Sequence, residues 1–148
     1  MNVSLADKRS VQEDASVDQI TKKIIASAFM VSNTLGIGFV EKVYENAHAH
    51  QMRKDGLKVI QQFPVNVIYD DVLVGEFYAD MLVDDRVLVE LKAVSELNTE
   101  HLAQALNYLR ASCLPACLLL NFGGPRLEIR RLHPSPSWPR PAAKEPPA

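Results

Sequence analysis

An α/β sandwich built on a mixed sheet is the fold class this chain predicts, and three observations carry that prediction. Helical periodicity opens the chain, strand-like patterning fills its middle, and a further helix–strand–strand run closes it. A hydrophobic content of 47% over 148 residues is enough for one domain with a full core.

Each element has its own signal. Residues 17–35 place Ile20, Ile24, Ala28, Val31 and Leu35 at helical spacing, and Gly36 ends the run. A second helix is expected from about Gly38 to Lys54, with Val40, Val43, Ala47 and the stem of Gln51 inward and Gly56 as its stop. Residues 57–69 read as a strand, and Pro64 confines it to a sheet edge or a bulge. Asp70-Asp71 turns the chain between that strand and the next, over 72–83, and 86–94 follows as a third. Asn98 or Thr99 caps a helix to about Ser112, with Leu102, Ala105, Leu106 and Leu109 as its core stripe. Pro115 opens a strand over Ala116–Asn121, Phe122-Gly-Gly-Pro125 turns, and Leu127–Leu132 is the last strand.

The ends look different. Residues 1–16 are polar and aperiodic, and six of the nine prolines fall in the last sixteen residues. A disordered extension over 1–16, a domain over 17–132 and a disordered Pro-rich tail over 133–148 are therefore expected. Trp138 is expected to stay solvated in that tail rather than dock. The chain shows no apolar leader and no run long enough to span a membrane, so a cytoplasmic location is the default. Cys113 and Cys117 lack a second ligand pair and read as small reduced core residues. A net charge of −2 and a pI of about 6.1 exclude a global polycation, so any nucleic-acid contact needs a local basic patch.

Asp80, Glu90 and Lys92 break the apolar pattern of the middle strands. Buried charge costs several kcal/mol unless it is paired or holds a metal. Strand alternation sends Leu88, Glu90 and Lys92 to one face and Val87, Val89, Leu91 and Ala93 to the other. On the preceding strand Ala79, Met81 and Val83 form the apolar set. The two apolar sets coincide only if an odd number of residues closes the hairpin, most simply Asp84, Asp85 and Arg86. That register pairs Val83 with Val87 and sets Asp80 opposite Glu90, close enough for both to bind one divalent cation. A two-residue loop would put the acids on opposite sides of the sheet. Burial and metal geometry ask for the same register.

Other groups are ambiguous alone. Gln104 and Tyr108 are four apart on the 99–112 helix, with His101 a turn earlier. By themselves they read as a solvated glutamine and a snorkelling tyrosine. Glu41, Tyr44, Glu45 and His48 share one face of the 38–54 helix, which by itself reads as an exposed acidic face. His48 and His50 do not face each other, so a His pair is not expected as metal ligands.

Gly38-Phe-Val-Glu41-Lys-Val-Tyr44 resembles the G-x-x-E-x-x-Y signature of the GxxExxY proteins, small bacterial and archaeal chains assigned to the PD-(D/E)xK nuclease superfamily. The resemblance continues through Gly75-Glu-Phe-Tyr-Ala-Asp80, Val89-Glu-Leu-Lys-Ala93, His101-x-x-Gln-x-x-Asn-Tyr108 and Leu118-Leu-Leu-Asn-Phe-Gly123, covering roughly residues 17–132. It implies a restriction-endonuclease-like core in the order αβββαβ, a mixed sheet flanked by helices. By the same resemblance Asp80 and Glu90 correspond to metal-binding acids and Lys92 to the superfamily lysine. Glu41 matches the acid of the first core helix, a further metal ligand, with Glu45 its close competitor. Gln104 and Tyr108 match the Q-x-x-x-Y element of RecB-type nuclease domains. Ala79 stands where the superfamily's proline would precede the aspartate.

The function implied is phosphodiester hydrolysis on nucleic acid, DNA before RNA, with Mg²⁺ or Mn²⁺. Asp80, Glu90 and Glu41 supply the hard oxygens such ions take. Lys92 positions water or stabilises the transition state, and Gln104 and Tyr108 brace the site. Lys42, Arg53, Lys54 and Arg110 are the candidate phosphate contacts. The alternative is a catalytically inactive nuclease-fold module that binds nucleic acid or protein, with Lys92 neutralising both acids. Either reading is compatible with a homodimer or an unidentified protein partner. A small-molecule enzyme ranks last, because no phosphate-cradling glycine loop, Ser-His-Asp set or cofactor fingerprint is present.

Overall fold

The computed structural model describes residues 4–139. Helices α1 (Leu5–Leu35) and α2 (Glu41–Lys54) precede strands β1 (Val59–Tyr69), β2 (Val72–Val83) and β3 (Val87–Lys92). Helix α3 (Thr99–Ser112) then leads to β4 (Ala116–Asn121) and β5 (Glu128–Leu132). The strands form one sheet in the order β1-β2-β3-β4-β5. Only the β3–β4 pair is parallel, so the sheet is mixed. Pro64 lies on β1, an edge strand, where its missing N–H costs no ladder bond on the open side.

Strand alternation divides the core. Met81, Val83, Val87, Val89, Leu91, Leu118 and Leu120 pack with Ile24, Ala28, Tyr44 and Met52 of α1 and α2. Leu82, Leu88, Cys117 and Leu119 face Ala105 and Leu109 of α3. β4 is buried along its whole length because helices cover both of its faces. The architecture is the expected α/β fold with helices on both sides of a mixed sheet.

The β2–β3 hairpin closes through Asp84, Asp85 and Arg86, with Val83 opposite Val87 and Met81 opposite Val89. Asp84 and Asp85 adopt left-handed φ of 48° and 59°, a conformation that Asp tolerates better than most residues. The Arg86 N–H donates to the Val83 carbonyl at 3.1 Å. Asp84 also accepts the Lys58 N–H at 2.8 Å, tying the turn to the chain entering β1.

Four expectations need correction. Residues 5–16, expected to be disordered, continue α1 back to Leu5. That stretch holds no Gly or Pro, and extending an existing helix costs far less than nucleating one. Val40 and Val43, expected inward, are 70% and 37% exposed, and α2 instead buries Tyr44, Glu45, His48, Ala49 and Met52. The helix turns this way because most of the polar groups it buries find partners inside, His48 Nδ1 being the exception among the described residues. Tyr44 donates to the Gly36 carbonyl at 2.6 Å and stacks on Phe122 at 5.0 Å. His48 Nε2 lies 3.0 Å from the Ile24 carbonyl, which neutral imidazole satisfies as donor. Cys113, expected in the core, is exposed and forms the left-handed C-cap of α3 at φ 59°, whereas Cys117 is buried and both thiols are free.

The fourth correction concerns the tail. Trp138 docks, packing beside the α3-side core under the Arg110 guanidinium, 5.8 Å from the ring centroid. Its position is fixed locally by a turn in which its N–H donates to Ser135. Residues 140–148 of the expected tail lie outside the described residues. Trp138→Ala should lower stability by about 1 kcal/mol. Because this is the only tryptophan, circular dichroism in denaturant is the suitable readout. An unchanged midpoint would show that the docked ring contributes nothing.

Among the described residues no helix is long and apolar enough to cross a membrane.

A paired-carboxylate site at the end of the central strands

The regular β2–β3 ladder runs only as far as Met81↔Val89, one residue short of the two acids. Beyond it side chains replace backbone carbonyls as acceptors. Glu90 Oε1 accepts the Asp80 N–H at 2.9 Å, and Asp80 Oδ2 accepts the Leu91 N–H at 2.8 Å. Each acid thus spends one oxygen on the opposite strand and keeps a second without a hydrogen bond among the described residues. The register inferred from apolar patterning is the one that produces this arrangement.

Taking two carboxylates out of water beside each other is costly for both. Burial, outweighing the bond from Leu91, raises Asp80 to about 6, and the charges of Glu41 and Glu45 add to the rise. Burial first and the charge of Asp80 second push Glu90 up to about 8. Lys92 acts the other way on both acids but makes no ion pair with either. Its Nζ donates instead to Gln104 Oε1 at 3.1 Å.

Gln104 reaches the strand because α3 starts in a defined place. Asn98 Oδ1 accepts the His101 N–H at 2.9 Å, and His101 Nδ1 accepts the Asn98 N–H at 3.2 Å, a reciprocal cap. His101 is therefore a capping residue. One turn on, Gln104 Nε2 donates to the Tyr108 hydroxyl at 3.3 Å. Burial, then the charge of Glu90, raise the Tyr108 phenol above its ordinary range, so it stays protonated. Its ring lies 5.6 Å from Phe77 of β2. Lys92, Gln104 and Tyr108 form a hydrogen-bonded row beside the acids.

A family model described as PD-(D/E)XK nuclease superfamily matches residues 18–132. The chain belongs to the PD-(D/E)XK nuclease superfamily. No curated protein and no solved structure gave a match. Nucleases of the PD-(D/E)XK superfamily generally use divalent metal ions such as Mg²⁺.

The donor set in this PD-(D/E)XK chain fits such an ion. Each of the two acids has one hard carboxylate oxygen without a hydrogen bond, and neither acid is in an ion pair, among the described residues. Among the described residues no group of three or more His, Cys, Asp or Glu stands as a ready-made metal cage. Mg²⁺ is commonly bound through one or two carboxylates and keeps several waters, so two acids are compatible with it.

The two helix acids separate clearly. Glu45, read from sequence as part of an exposed face, is 3% exposed. Its Oε1 accepts from Gln62 Nε2 at 2.8 Å, and its Oε2 from Gln61 Nε2 at 2.6 Å and Lys42 Nζ at 2.9 Å. Gln62 occupies the register gap opposite Asp80, between Gln61↔Met81 and Phe63↔Ala79, at a left-handed φ of 55°. Such a conformation costs on the order of 1 kcal/mol or more, which the Glu45 bond offsets. Glu45 is thus a fully used latch between α2 and β1. Glu41 has no hydrogen bond or ion pair among the described residues, yet its charge raises both Asp80 and Glu90. Sequence reasoning missed Gln61 and Gln62; their only signal was two adjacent amides in a mostly apolar strand.

Of the candidate phosphate contacts, Lys42 is committed to Glu45, Arg53 to Gln61 and the Val59 carbonyl, and Arg110 to Trp138. Lys54 carries no hydrogen bond or ion pair among the described residues.

Proposed function

We propose that this chain is a Mg²⁺- or Mn²⁺-dependent phosphodiesterase of the GxxExxY branch, acting on nucleic acid, DNA before RNA. The observation that carries the reading is the pairing of Asp80 with Glu90, each with one free oxygen, beside a lysine held away from both. Asp80 and Glu90-Leu91-Lys92 then supply the acids and lysine of the superfamily pattern. The branch assignment rests on the Gly38–Tyr44 motif. Gly38 adopts φ +114°, Glu41 opens α2 near both acids, and Tyr44 is the buried anchor of the α1–α2 connection.

Asp80 and Glu90 would hold the ion; Glu41, whose charge bears on both acids, is the helix acid proposed at the margin of the site, and Glu45 is spent on its three partners. The bound ion supplies polarisation of a phosphate oxygen and acidification of a water. Lys92 directs its ammonium to the charge that develops on the phosphorane. Gln104 fixes the direction of the Lys92 amine by accepting from it. Tyr108, whose oxygen accepts from Gln104, keeps its own O–H to donate to a phosphate oxygen or to water. Burial, with the charge of Asp80 second at Glu90, makes the pair retain a proton near neutral pH, and binding a cation would release it.

The test is cleavage of supercoiled DNA, linear DNA and RNA with Mg²⁺ or Mn²⁺, using Lys92→Met as control. Wild type should cut at least one substrate, and the variant should fall by roughly 10²-fold or more while retaining metal binding. Equal cleavage by the two proteins would overturn the reading.

A second reading, an inactive nuclease-fold binding module, is favoured by the β1–β2 ribbon. Ile68, Tyr69, Val72, Leu73, Val74 and Tyr78 are exposed on it, an apolar surface suited to a protein partner. A divalent ion that leaves the melting temperature unchanged, with no cleavage of any substrate, would favour this module.

A further inference from the structure

Lys92 and Gln104 belong to different elements, and the five residues between β3 and Asn98 decide whether they meet. That connection has no helix or strand of its own. It is held instead by the neighbouring end of β4 and the start of β5. The Lys92 carbonyl accepts the Phe122 N–H at 2.9 Å. Asn121, fully buried, grips both backbone groups of Val94: Oδ1 accepts its N–H at 3.0 Å, and Nδ2 donates to its carbonyl at 2.9 Å. Glu128 Oε1 accepts from Asn121 Nδ2 at 2.8 Å and from the Leu97 N–H at 3.1 Å. Two side chains therefore fix positions 94 and 97, immediately before the cap that starts α3.

Gly123 makes the approach possible. A Cβ there would lie 2.4 Å from both the N and the O of Val94, closer than any real contact. Its own N–H donates to Asn121 Oδ1 at 3.0 Å, completing the acceptor's second bond. Asp80 and Glu90 need none of this, since each is fixed by the other's strand.

We propose that Asn121 and Glu128 are positioning residues that hold Lys92 against Gln104 through the β3–α3 connection. The consequence for catalysis rests on the nuclease reading; the positioning itself does not. Removing the Glu128 carboxylate frees the Leu97 N–H and one Asn121 bond, lets the start of α3 drift, and separates Gln104 from the lysine. The acids keep their geometry.

The decisive experiment follows the Gln104 side-chain amide resonance in ¹⁵N-labelled, metal-free full-length protein. Lys92→Met, which removes the donor to Gln104 Oε1, supplies the reference for a broken pair. Glu128→Ala should move the resonance most of the way to that reference. Glu128→Gln, whose amide oxygen can accept the same two N–H groups, should leave it at the wild-type position. Glu128→Met, which keeps the stem, replaces Glu128→Ala if that variant fails to fold. A wild-type resonance in the truncated variant overturns the proposal, as does an equal shift in Glu128→Gln.

Cleavage adds a separate arm. Glu128→Ala should lower kcat roughly tenfold or more with KM and the Mn²⁺-induced melting shift unchanged. On the Lys92→Met background it should cause no further loss, whereas a merely structural role would cost the same factor in both. A shifted Gln104 resonance in a protein that cuts nothing would sink the nuclease reading and leave the positioning intact.

Discussion

Asp80→Ala is expected to lower metal-supported cleavage by roughly 10²–10³-fold or more, and to remove the rise in melting temperature that Mn²⁺ produces. Two losses combine in this one change. The free oxygen of Asp80 disappears as a ligand, and the Leu91 N–H loses its acceptor, so the strand carrying Glu90 and Lys92 is no longer fixed at that point. Asp80→Asn separates them, because its amide oxygen can still accept from Leu91 while the charge is gone. The asparagine variant should keep the metal-free melting temperature near wild type yet bind Mn²⁺ weakly and cut poorly. Glu41→Ala should weaken the metal response by less, since Glu41 lies at the margin of the site. Glu45→Ala should act on stability instead, leaving Lys42, Gln61 and Gln62 without their shared acceptor. Calorimetric titration with Mn²⁺ and cleavage assays on the same proteins distinguish these outcomes. Full metal binding by Asp80→Ala would refute the assignment.

Stability of the metal-free protein should fall as pH rises from 6.5 to 8, and Mg²⁺ should reverse that slope. Glu90 is held at about 8, above its ordinary 4.5, so the folded protein keeps a proton the unfolded chain has released. Its stabilising contribution is present below about 4.5 and is lost as pH climbs towards 8. Asp80 contributes in the same sense over a lower window, from 3.8 to about 6. His48 works in the opposite sense. Burial lowers it to about 4 from 6.5, so between those values the unfolded chain binds the extra proton and stability rises with pH. The opposing slopes meet in the acid range, and above 6.5 Glu90 accounts for most of the change that remains. The expected loss there is on the order of 1 kcal/mol or more. Divalent ions bind the deprotonated pair, so their stabilisation grows over the same interval. Urea denaturation at pH 6.5 and 8, with and without Mg²⁺, reads both effects, and Glu90→Gln should flatten the metal-free slope. A metal-free stability that rises over this interval would show that the pair is not buried and proton-sharing as described.

These two predictions draw on features that were legible to different degrees. The hairpin register was readable because strand periodicity is rigid. Once Val87, Val89 and Leu91 must share a face with Met81 and Val83, the loop must hold an odd number of residues and Asp80 must meet Glu90. Most of the α3 stripe was readable for a similar reason, and its cap was narrowed to Asn98 or Thr99, of which Asn98 serves. Gln104 and Tyr108 were visible as one face, but nothing local said that Lys92 would be their partner.

Helix α2 shows where local reasoning stops. Its two possible inner faces, one through Val40 and Val43 and one through Tyr44, Glu45 and His48, differ by about a third of a turn. Hydrophobicity favours the first, and the protein buries the second. The difference lies in partners sixteen to twenty-four positions away: Gln61 and Gln62 for Glu45, and the Ile24 carbonyl for His48. The same holds for Trp138 over Arg110 and for Asn121 against Val94, twenty-seven positions away.

By itself the sequence determined strand faces, the hairpin register and where α3 starts, because each depends on residues within about one element length. Only the tertiary structure decided which polar groups are buried, which helix acid is free, and what aims Lys92 at Gln104. Burying a polar group is unfavourable until a partner satisfies it, and a partner from a distant element exists only once the chain has folded.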